Sequence, residues 1–362
     1  MVGVGTLTTG VTAEVDAFGT VRSGAVRLAW RVRSGNDWVE PGAGGTTRQS
    51  RPSAAPVLHT ALRLPGGDAI QRVYAVGDGD GALVVVEIEN DSPQAIAVGF
   101  VVDTPGVVSA ADDGAVVDGQ RVLAWSRRPG AVEDGNRFVY PVPHRTTVRV
   151  VLVGPDSEFA GDVHALAGAD AVAHAWDRML DRGLRTELPE PLQSEVDAAR
   201  ADLLLALPTA DAFVALEAWG FDEDAVEMWS RLGMRARRAA RRGSPRGLLG
   251  ETRAALVRED GGLLELLPGY RVAWLGQHLA AHDIPLRRGM CSFAVRWHGA
   301  RPALLWDVPP GTTVRVPALD AGWSSNEPVG ETLLAEPTMS LLSMGGGVPV
   351  LGTTVDAPEQ FS

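Results

Sequence analysis

Lysine is absent from this sequence, so all 33 Lys+Arg residues are arginine. The use of arginine in place of lysine is attributed mainly to genomic base composition. The presence of an arginine is therefore not, by itself, a sign of function. The chain also has only one cysteine, Cys291, which excludes an intrachain disulfide. The apolar run MCSFAVRW around it is typical of a buried strand. Cys291 is therefore predicted to be a small buried hydrophobe and not a nucleophile.

The sequence also lacks long hydrophobic runs. No window is long and apolar enough to span a membrane. Residues 1–19 have neither the basic segment nor the continuous apolar core of a secretory signal, so we expect the protein in the cytoplasm. The net charge of -12 disfavours nucleic acid and anionic membranes as partners.

Several catalytic and metal-binding motifs are missing as well. There is no HExxH, no G-x-S-x-G, and no Lys-Ser/Thr step after the glycine-rich run 343–352. The seven histidines are scattered, and His278 and His282 lack the further ligands that zinc requires. The sequence therefore predicts neither a metal nor a cofactor, and residues 353–362 are predicted to be a mobile tail.

Three regions follow one another along the chain. In residues 1–155, short β-branched runs such as ALVVVEIEN alternate with turn signals such as Asn90-Asp91-Ser92-Pro93, which predicts an antiparallel β-sandwich. In residues 156–249 the hydrophobic period changes to that of helices. Residues 250–362 return to a β pattern and are predicted to form a small β-domain with the mobile tail.

The helical region is predicted to consist of antiparallel hairpins. Thr209 is placed to cap one helix, and Asp222 is placed to cap another that continues to Arg242. The loops between the predicted helices are short, which favours antiparallel neighbours. The expected fold class is a multi-domain α+β protein with a sandwich, helical hairpins and a small β-domain.

The C-terminal region contains a pattern that carries a family resemblance. Leu-Leu-Pro is followed by a tryptophan, a glycine, a basic-glycine turn and an apolar strand that ends in tryptophan. These positions are Leu266, Leu267, Pro268, Trp274, Gly276, Arg288, Gly289, Phe293, Val295 and Trp297. The pattern covers about forty residues and resembles the α-fucosidase-like branch of the six-hairpin (α/α) glycosidase superfamily.

That resemblance implies a β-supersandwich first, a helical barrel next and a β-domain last, together with glycoside hydrolase chemistry. A barrel of six hairpins has twelve helices, which need on the order of 200 residues. Only about ninety residues lie between the two β regions here. The resemblance therefore implies a truncated helical region and a carbohydrate-associated protein that is degenerate or non-catalytic.

Glycoside hydrolysis requires two carboxyl groups about 5–10 Å apart. The acidic stretch LEAWGFDEDAVEMW supplies Glu217 and Glu227 as the candidate catalytic pair. Its neighbouring carboxylates also fit the first turn of a helix, where negative charge meets the helix dipole. Helix capping and solvation are the favoured interpretation.

Two further sets of residues are candidates for binding. Tryptophan rings stack on the apolar faces of sugars, although core packing is the favoured alternative for each of them. The arginines have a 4, 3, 4 spacing that predicts a stripe on one helical face, for an anion, an acidic protein or solvent. The candidates are Trp219, Trp274, Trp297 and Trp306 for a glycan, and Arg231, Arg235, Arg238 and Arg242 for the stripe.

Three functions therefore remain open. The first is a non-catalytic protein that binds a glycan or small sugar. The second is an active glycoside hydrolase that uses Glu217 or its acidic neighbours, in a cavity completed by several chains. The third is a protein-interaction module that uses the arginine stripe.

Overall fold

The computed structural model describes residues 1–35, 37–79, 81–154, 157 and 159–337. Strands account for 45% of the structure and helices for 20%. Within the described residues there are four sheets and six helices, which define a multi-sheet α+β protein. The predicted run 343–352 and the predicted mobile tail lie outside the described residues.

The chain divides into two compact units. The first comprises Met1–Arg185 and Glu190–Gly250, and the second comprises Thr186–Pro189 and the chain from Glu251 onward. The strands of the first unit are β1 Val2–Thr6, β2 Gly10–Val15, β3 Val21–Ser23, β4 Val26–Arg33, β5 Trp38–Pro41, β6 Gly44–Gly45, β7 Thr47–Ser50, β8 Leu58–Leu64, β9 Gly67–Asp78, β10 Gly81–Asn90, β11 Ile96–Asp103, β12 Val108–Ala110, β13 Gly114–Val117, β14 Gln120–Trp125, β15 Ala131–Glu133, β16 Arg137–Val142 and β17 Thr147–Val153.

These strands form two sheets. The first has the order β1-β2-β3-β4-β11-β16-β15, with β5 paired to β4 and β6 paired to β5. The second has the order β12-β13-β14-β17-β10-β9-β8-β7. Side chains alternate between the two faces of a strand, so Val84, Val86 and Ile88 of β10 point into the core that both sheets share. Glu87 and Glu89 therefore belong to the opposite, outer face of the second sheet.

The turn between β10 and β11 is held by one buried side chain. The Asn90 carboxamide oxygen accepts hydrogen bonds from the backbone N–H and the hydroxyl of Ser92, at 3.0 and 2.7 Å. Its Nδ2 donates to the carbonyl oxygens of Gln94 and Val142. The turn predicted at Asn90-Asp91-Ser92-Pro93 is confirmed.

The prediction of a helical hairpin region is wrong. The helices are short, and strand β18 (Arg185–Glu187) separates the first two of them. That strand belongs to another sheet, and the last helix continues directly into strand β19 (Val257–Asp260). The helices are α1 Ala169–Leu180, α2 Leu192–Leu204, α3 Ala210–Ala218, α4 Asp222–Arg231, α5 Met234–Ala240 and α6 Gly247–Leu256, with a short 3-10 turn at Val163–Ala165.

The ends of these helices follow local chemistry. Thr209 is the N-cap of α3, and its hydroxyl accepts a hydrogen bond from the backbone N–H of Ala212 at 3.1 Å. The N-cap of α4 is Phe221, so Asp222 lies in the first turn instead of capping it. The long helix predicted up to Arg242 is wrong, because Leu232 is extended (φ −73°, ψ 131°) and ends α4.

The second unit contains the two remaining sheets. One has the order β18-β21-β22-β23-β26 and the other has the order β19-β20-β24-β25. Their other strands are β20 Leu263–Leu266, β21 Leu279–Leu286, β22 Gly289–His298, β23 Arg301–Asp307, β24 Thr313–Val316, β25 Asp320–Ser325 and β26 Val329–Leu333, with a 3-10 turn at Val272–Trp274.

Five of the ten residues that carry the family resemblance lie in the interior of this unit. Leu266, Leu267 and Val295 are completely buried, and Phe293 and Trp274 are nearly so. Packing alone accounts for these residue types. The resemblance to six-hairpin glycosidases therefore stays a prediction.

Within the described ranges, no helix is both long enough and apolar enough to cross a lipid bilayer.

Candidate functional site

Three of the four candidate tryptophans are core residues. Trp219 has no exposed surface, and its indole N–H donates to the carbonyl oxygen of Leu249 at 3.2 Å. Trp306 is 6% exposed and donates to the carbonyl oxygen of Glu327 at 2.9 Å. Trp274 is 4% exposed. Rings in these positions offer little face to a sugar, because their surfaces are already packed.

Trp297 differs from the other three because it is partly exposed. It lies near the end of β22, where its backbone N–H approaches Nδ1 of His278 at 3.4 Å. Its indole N–H is buried and has no hydrogen-bond partner among the described residues. Trp297 is the candidate tryptophan that remains open to a ligand.

The candidate carboxylates are not gathered into one cleft. Glu217 lies on α3 and is exposed, and partial burial, followed by the nearby Asp222 carboxylate, raises its pKa. Glu227 lies on α4, where it pairs with Arg231 one turn further on. A small cleft of about 70 Å³ includes Glu227 and Asp224 among its lining residues, but not Glu217. A catalytic role for this pair stays a prediction.

The arginine stripe is not continuous. Arg231 ends α4, Arg235 and Arg238 lie on α5, and Arg242 follows α5. The helix is broken at Leu232 and Gly233, between Arg231 and the other three arginines. The prediction that all four lie on one helical face is therefore wrong. All four side chains are exposed. Binding of a partner at Arg235, Arg238 and Arg242 stays a prediction.

Cys291 is buried in β22 and its thiol is free. Burial, with the Asp307 and Glu259 carboxylates, raises the pKa of this thiol from 9.0 to about 12. The folded protein therefore holds the proton more tightly than the unfolded chain does. This contribution to stability is present below pH 9 and is lost as the pH rises from 9 to about 12.

A thiol-labelling experiment checks this placement of Cys291. Each unit by which the thiol pKa rises above the ambient pH lowers the thiolate fraction tenfold. The thiolate fraction at pH 8 is therefore on the order of 1,000-fold lower in the folded protein than in the unfolded chain. We expect Ellman's reagent to label native protein slower than urea-unfolded protein by at least that factor. Labelling of native protein at the unfolded rate would contradict the burial.

Within the described part of the chain, no group of three or more His, Cys, Asp or Glu side chains is arranged to hold a metal ion. His282 approaches the Glu187 carboxylate at 4.0 Å, without a third ligand beside them among those residues.

A network of buried ions lies on the outer face of the second sheet. The Arg149 guanidinium pairs with Glu87 and donates to the carbonyl oxygens of Val163 and Leu166. The Tyr74 hydroxyl donates to Glu87 at 2.9 Å. The network ties the segment before α1 to the sheet, so its evident role is structural.

A polar cleft of about 680 Å³ is the feature of the first unit best suited to a hydrophilic ligand. It lies where the turns after β3 and β13 approach the segments that follow β11 and β17. Its lining residues are Ser23, Gly24, Ala25, Val26, Thr104, Pro105, Gly106, Val117, Asp118, Gly119, Gln120, Arg121, Val122, Val153, Gly154, Ser157, Phe159 and Ala160.

Asp118 and Gly119 form the tight turn between β13 and β14. Asp118 has φ 49°, a left-handed conformation that Asp and Asn tolerate better than other non-glycine residues do. Its carboxylate lies against the backbone of Gly106, where a Cβ atom would overlap it. Gly106 therefore gives the carboxylate room beside the cleft.

Some polar side chains of this cleft are already hydrogen-bonded within the protein, and others are not. Arg121 is occupied, because it donates to Asp113 at 2.6 Å and to the carbonyl oxygen of Phe159 at 3.0 Å. Asp118, Gln120 and Thr104 have no side-chain hydrogen bond to any described residue. A carboxylate, an amide and a hydroxyl are thus left to a ligand.

None of these cleft residues is among the candidates that the sequence predicts. An Asp-Gly pair in the run VVDGQ predicts a turn, but a turn signal does not reveal which other loops lie beside it. The cleft depends on strand order in two sheets, and strand order has no local sequence signal.

A scan against models of known protein families finds no match, and a search of curated proteins finds no matching sequence.

Proposed function

We propose that this chain is a carbohydrate-binding protein that holds a sugar-like ligand in the polar cleft. The observation that carries the proposal is that the side chains of Asp118, Gln120 and Thr104 line the cleft and form no hydrogen bond to any described residue. Adjacent hydroxyls of a sugar can donate to one carboxylate, and a neighbouring amide can both donate and accept. The volume of about 680 Å³ suits a small saccharide.

The charges of the cleft favour a neutral ligand over a phosphorylated one. Arg121 is the cationic side chain among the described lining residues, and it is already bonded to Asp113. The carboxylate of Asp118 would repel a phosphate. The hydroxyls of a neutral polyhydroxylated ligand can donate to the exposed Asp118 carboxylate without such repulsion.

Binding without turnover is the form of the proposal that we favour. The candidate catalytic carboxylates, Glu217 and Glu227, do not line the polar cleft. A glycoside hydrolase that used them would have to bind its substrate elsewhere.

A location in the cytoplasm is part of the same proposal and is tested by cell fractionation.

Replacing Asp118 by asparagine tests the cleft directly. We expect saccharide affinity to fall about 10- to 100-fold, because a hydrogen bond to a charged group contributes about 1.5–3 kcal/mol. A glycan array first identifies the saccharide, and calorimetric titration then gives the dissociation constants. Asparagine keeps the left-handed turn, so the fold is expected to be unchanged.

Asp134→Asn is the matched control. Asp134 also has a left-handed φ, 54°, and also precedes a glycine, but it does not line the cleft. It is expected to bind the saccharide like the unmodified protein. Equal affinity in Asp118→Asn, or no saccharide bound at all, would refute the proposal, and turnover of the bound oligosaccharides would refute its non-catalytic form.

A further inference from the structure

A second concavity of the first unit has a different chemical character. This groove, of about 570 Å³, is bounded by the turn between β1 and β2, the end of β9 and helix α1. It shares no lining residue with the polar cleft. Its lining residues are Gly5, Thr6, Leu7, Ala75, Val76, Gly77, Ala167, Ala171, Val172, Ala175, Trp176, Arg178 and Met179.

Helix α1 supplies one wall of the groove, which contains both small and large apolar residues. Ala171 and Ala175 are one turn apart on the same face, so the helix presents little bulk there. Trp176 and Met179 give the wall apolar surface. Such a wall favours an apolar body over a sugar.

Two glycines shape the opposite side in different ways. At Gly5 the pairing of β1 with β2 is shifted by a bulge, and a Cβ atom would overlap the carbonyl oxygen of Gly10. At Gly77 a Cβ atom would meet no atom within 4 Å. Gly5 is thus required by the backbone, whereas Gly77 leaves open space that a side chain could fill.

Arg178 supplies the positive charge of the groove. Among the described lining residues it is the one charged side chain. It is exposed on α1, and no described carboxylate forms an ion pair with it. A guanidinium beside an apolar surface is complementary to a ligand with an apolar body and an anionic head.

We propose that this groove binds a small amphiphile, with the aliphatic body against α1 and β9 and a carboxylate on Arg178. The volume is in the range of small-molecule sites and accommodates a medium-length acyl chain. The ligand class differs from that of the polar cleft, and neither proposal depends on the other.

A pair of probes with and without the charge tests the proposal on the full chain. Decanoate and decanol have the same aliphatic length and differ in the head group. We expect decanoate to bind about tenfold more tightly than decanol, since the charge-assisted bond to Arg178 is absent from the alcohol. Calorimetric titration gives both constants, and decanoate that fails to bind, or that binds no better than decanol, would overturn the proposal.

Two variants locate the site. Arg178→Gln is expected to remove the tenfold preference for decanoate while decanol still binds. Gly77→Leu is expected to abolish binding of both probes, because the new side chain occupies the groove without a clash in the backbone.

Arg238→Gln is the matched control, since Arg238 is also exposed on a helix and does not line the groove. It is expected to keep the preference for decanoate. Circular dichroism confirms that each variant is folded. Unchanged decanoate binding in a folded Gly77→Leu variant would place the ligand elsewhere and overturn the proposal.

Discussion

Replacing Trp219 by alanine is expected to lower the free energy of unfolding by about 3–5 kcal/mol. Trp219 is the largest of the completely buried side chains, and the structure cannot fill the space that its ring leaves. The Arg200 guanidinium lies 5.9 Å from the centre of that ring and would lose the contact. Urea denaturation followed by circular dichroism measures the change.

A milder substitution separates the ring from its hydrogen bond. Trp219→Phe keeps an aromatic ring but removes the indole N–H that donates to Leu249. We expect an intermediate loss of about 1–3 kcal/mol, because the smaller ring leaves a cavity and the Leu249 carbonyl loses the indole donor. If Trp219→Ala were as stable as the unmodified protein, the buried placement would be wrong.

Trp297→Ala is the comparison that concerns function. Trp297 is partly exposed, so its removal is expected to cost less stability than removal of Trp219. The polar-cleft proposal expects its saccharide affinity to be unchanged. Loss of saccharide binding in Trp297→Ala, with Asp118→Asn unaffected, would instead support the tryptophan predicted from the sequence.

Breaking the buried ion network is expected to have an effect of similar size. Glu87→Leu leaves the Arg149 guanidinium with its carbonyl partners but without a carboxylate, and it removes the main acceptor of the Tyr74 hydroxyl. Loss of one partner of a buried ion pair costs about 3–5 kcal/mol, because the remaining charge is uncompensated. Arg149→Met is expected to cost a similar amount, measured by urea denaturation.

The double variant Glu87→Leu with Arg149→Met is the informative control. It leaves neither charge buried, so the loss is expected to be clearly smaller than the sum of the two single losses. The exposed pair of Glu227 and Arg231 gives the opposite control, since Glu227→Gln should change stability by less than about 1 kcal/mol. Additive losses in the double variant would contradict a coupled network.

The network also predicts where the loss is felt. Arg149 donates to the carbonyl oxygens of Val163 and Leu166, just before α1. Hydrogen exchange in that segment and in α1 is therefore expected to speed up in both single variants.

Local signals in the sequence predicted individual elements better than their assembly. Thr209 was identified as an N-cap because a hydroxyl before a helix has one obvious use. The long helix to Arg242 was wrong because alanine and arginine favour helix throughout that stretch, and only Leu232 and Gly233 interrupt it. Gly233, a weak helix former that is the N-cap of α5, is the local sign of this break.

The candidate sites depend on side-chain burial and on strand register, neither of which can be read from the sequence. Tryptophan and glutamate are residue types that suit sugars, yet type alone does not distinguish Trp219 in the core from Trp297 near the surface. Glu87 lies in the run ALVVVEIEN, and a charge in such an apolar strand is a signal of a buried partner. Arg149 could not be assigned as that partner, because sequence gives no register between β10 and β17.

Strand β18 has a consequence for anyone who divides this chain into pieces. It is the edge strand beside β21, but roughly ninety residues are synthesised between the two, and they include residues 190–250 of the first unit. A fragment that begins at Glu251 would lack β18, so β21 would become the edge strand of the sheet. An exposed edge strand can pair with other chains and cause aggregation. In the ribosome-bound chain, β18 must likewise wait until β21 has emerged, so this sheet is completed late.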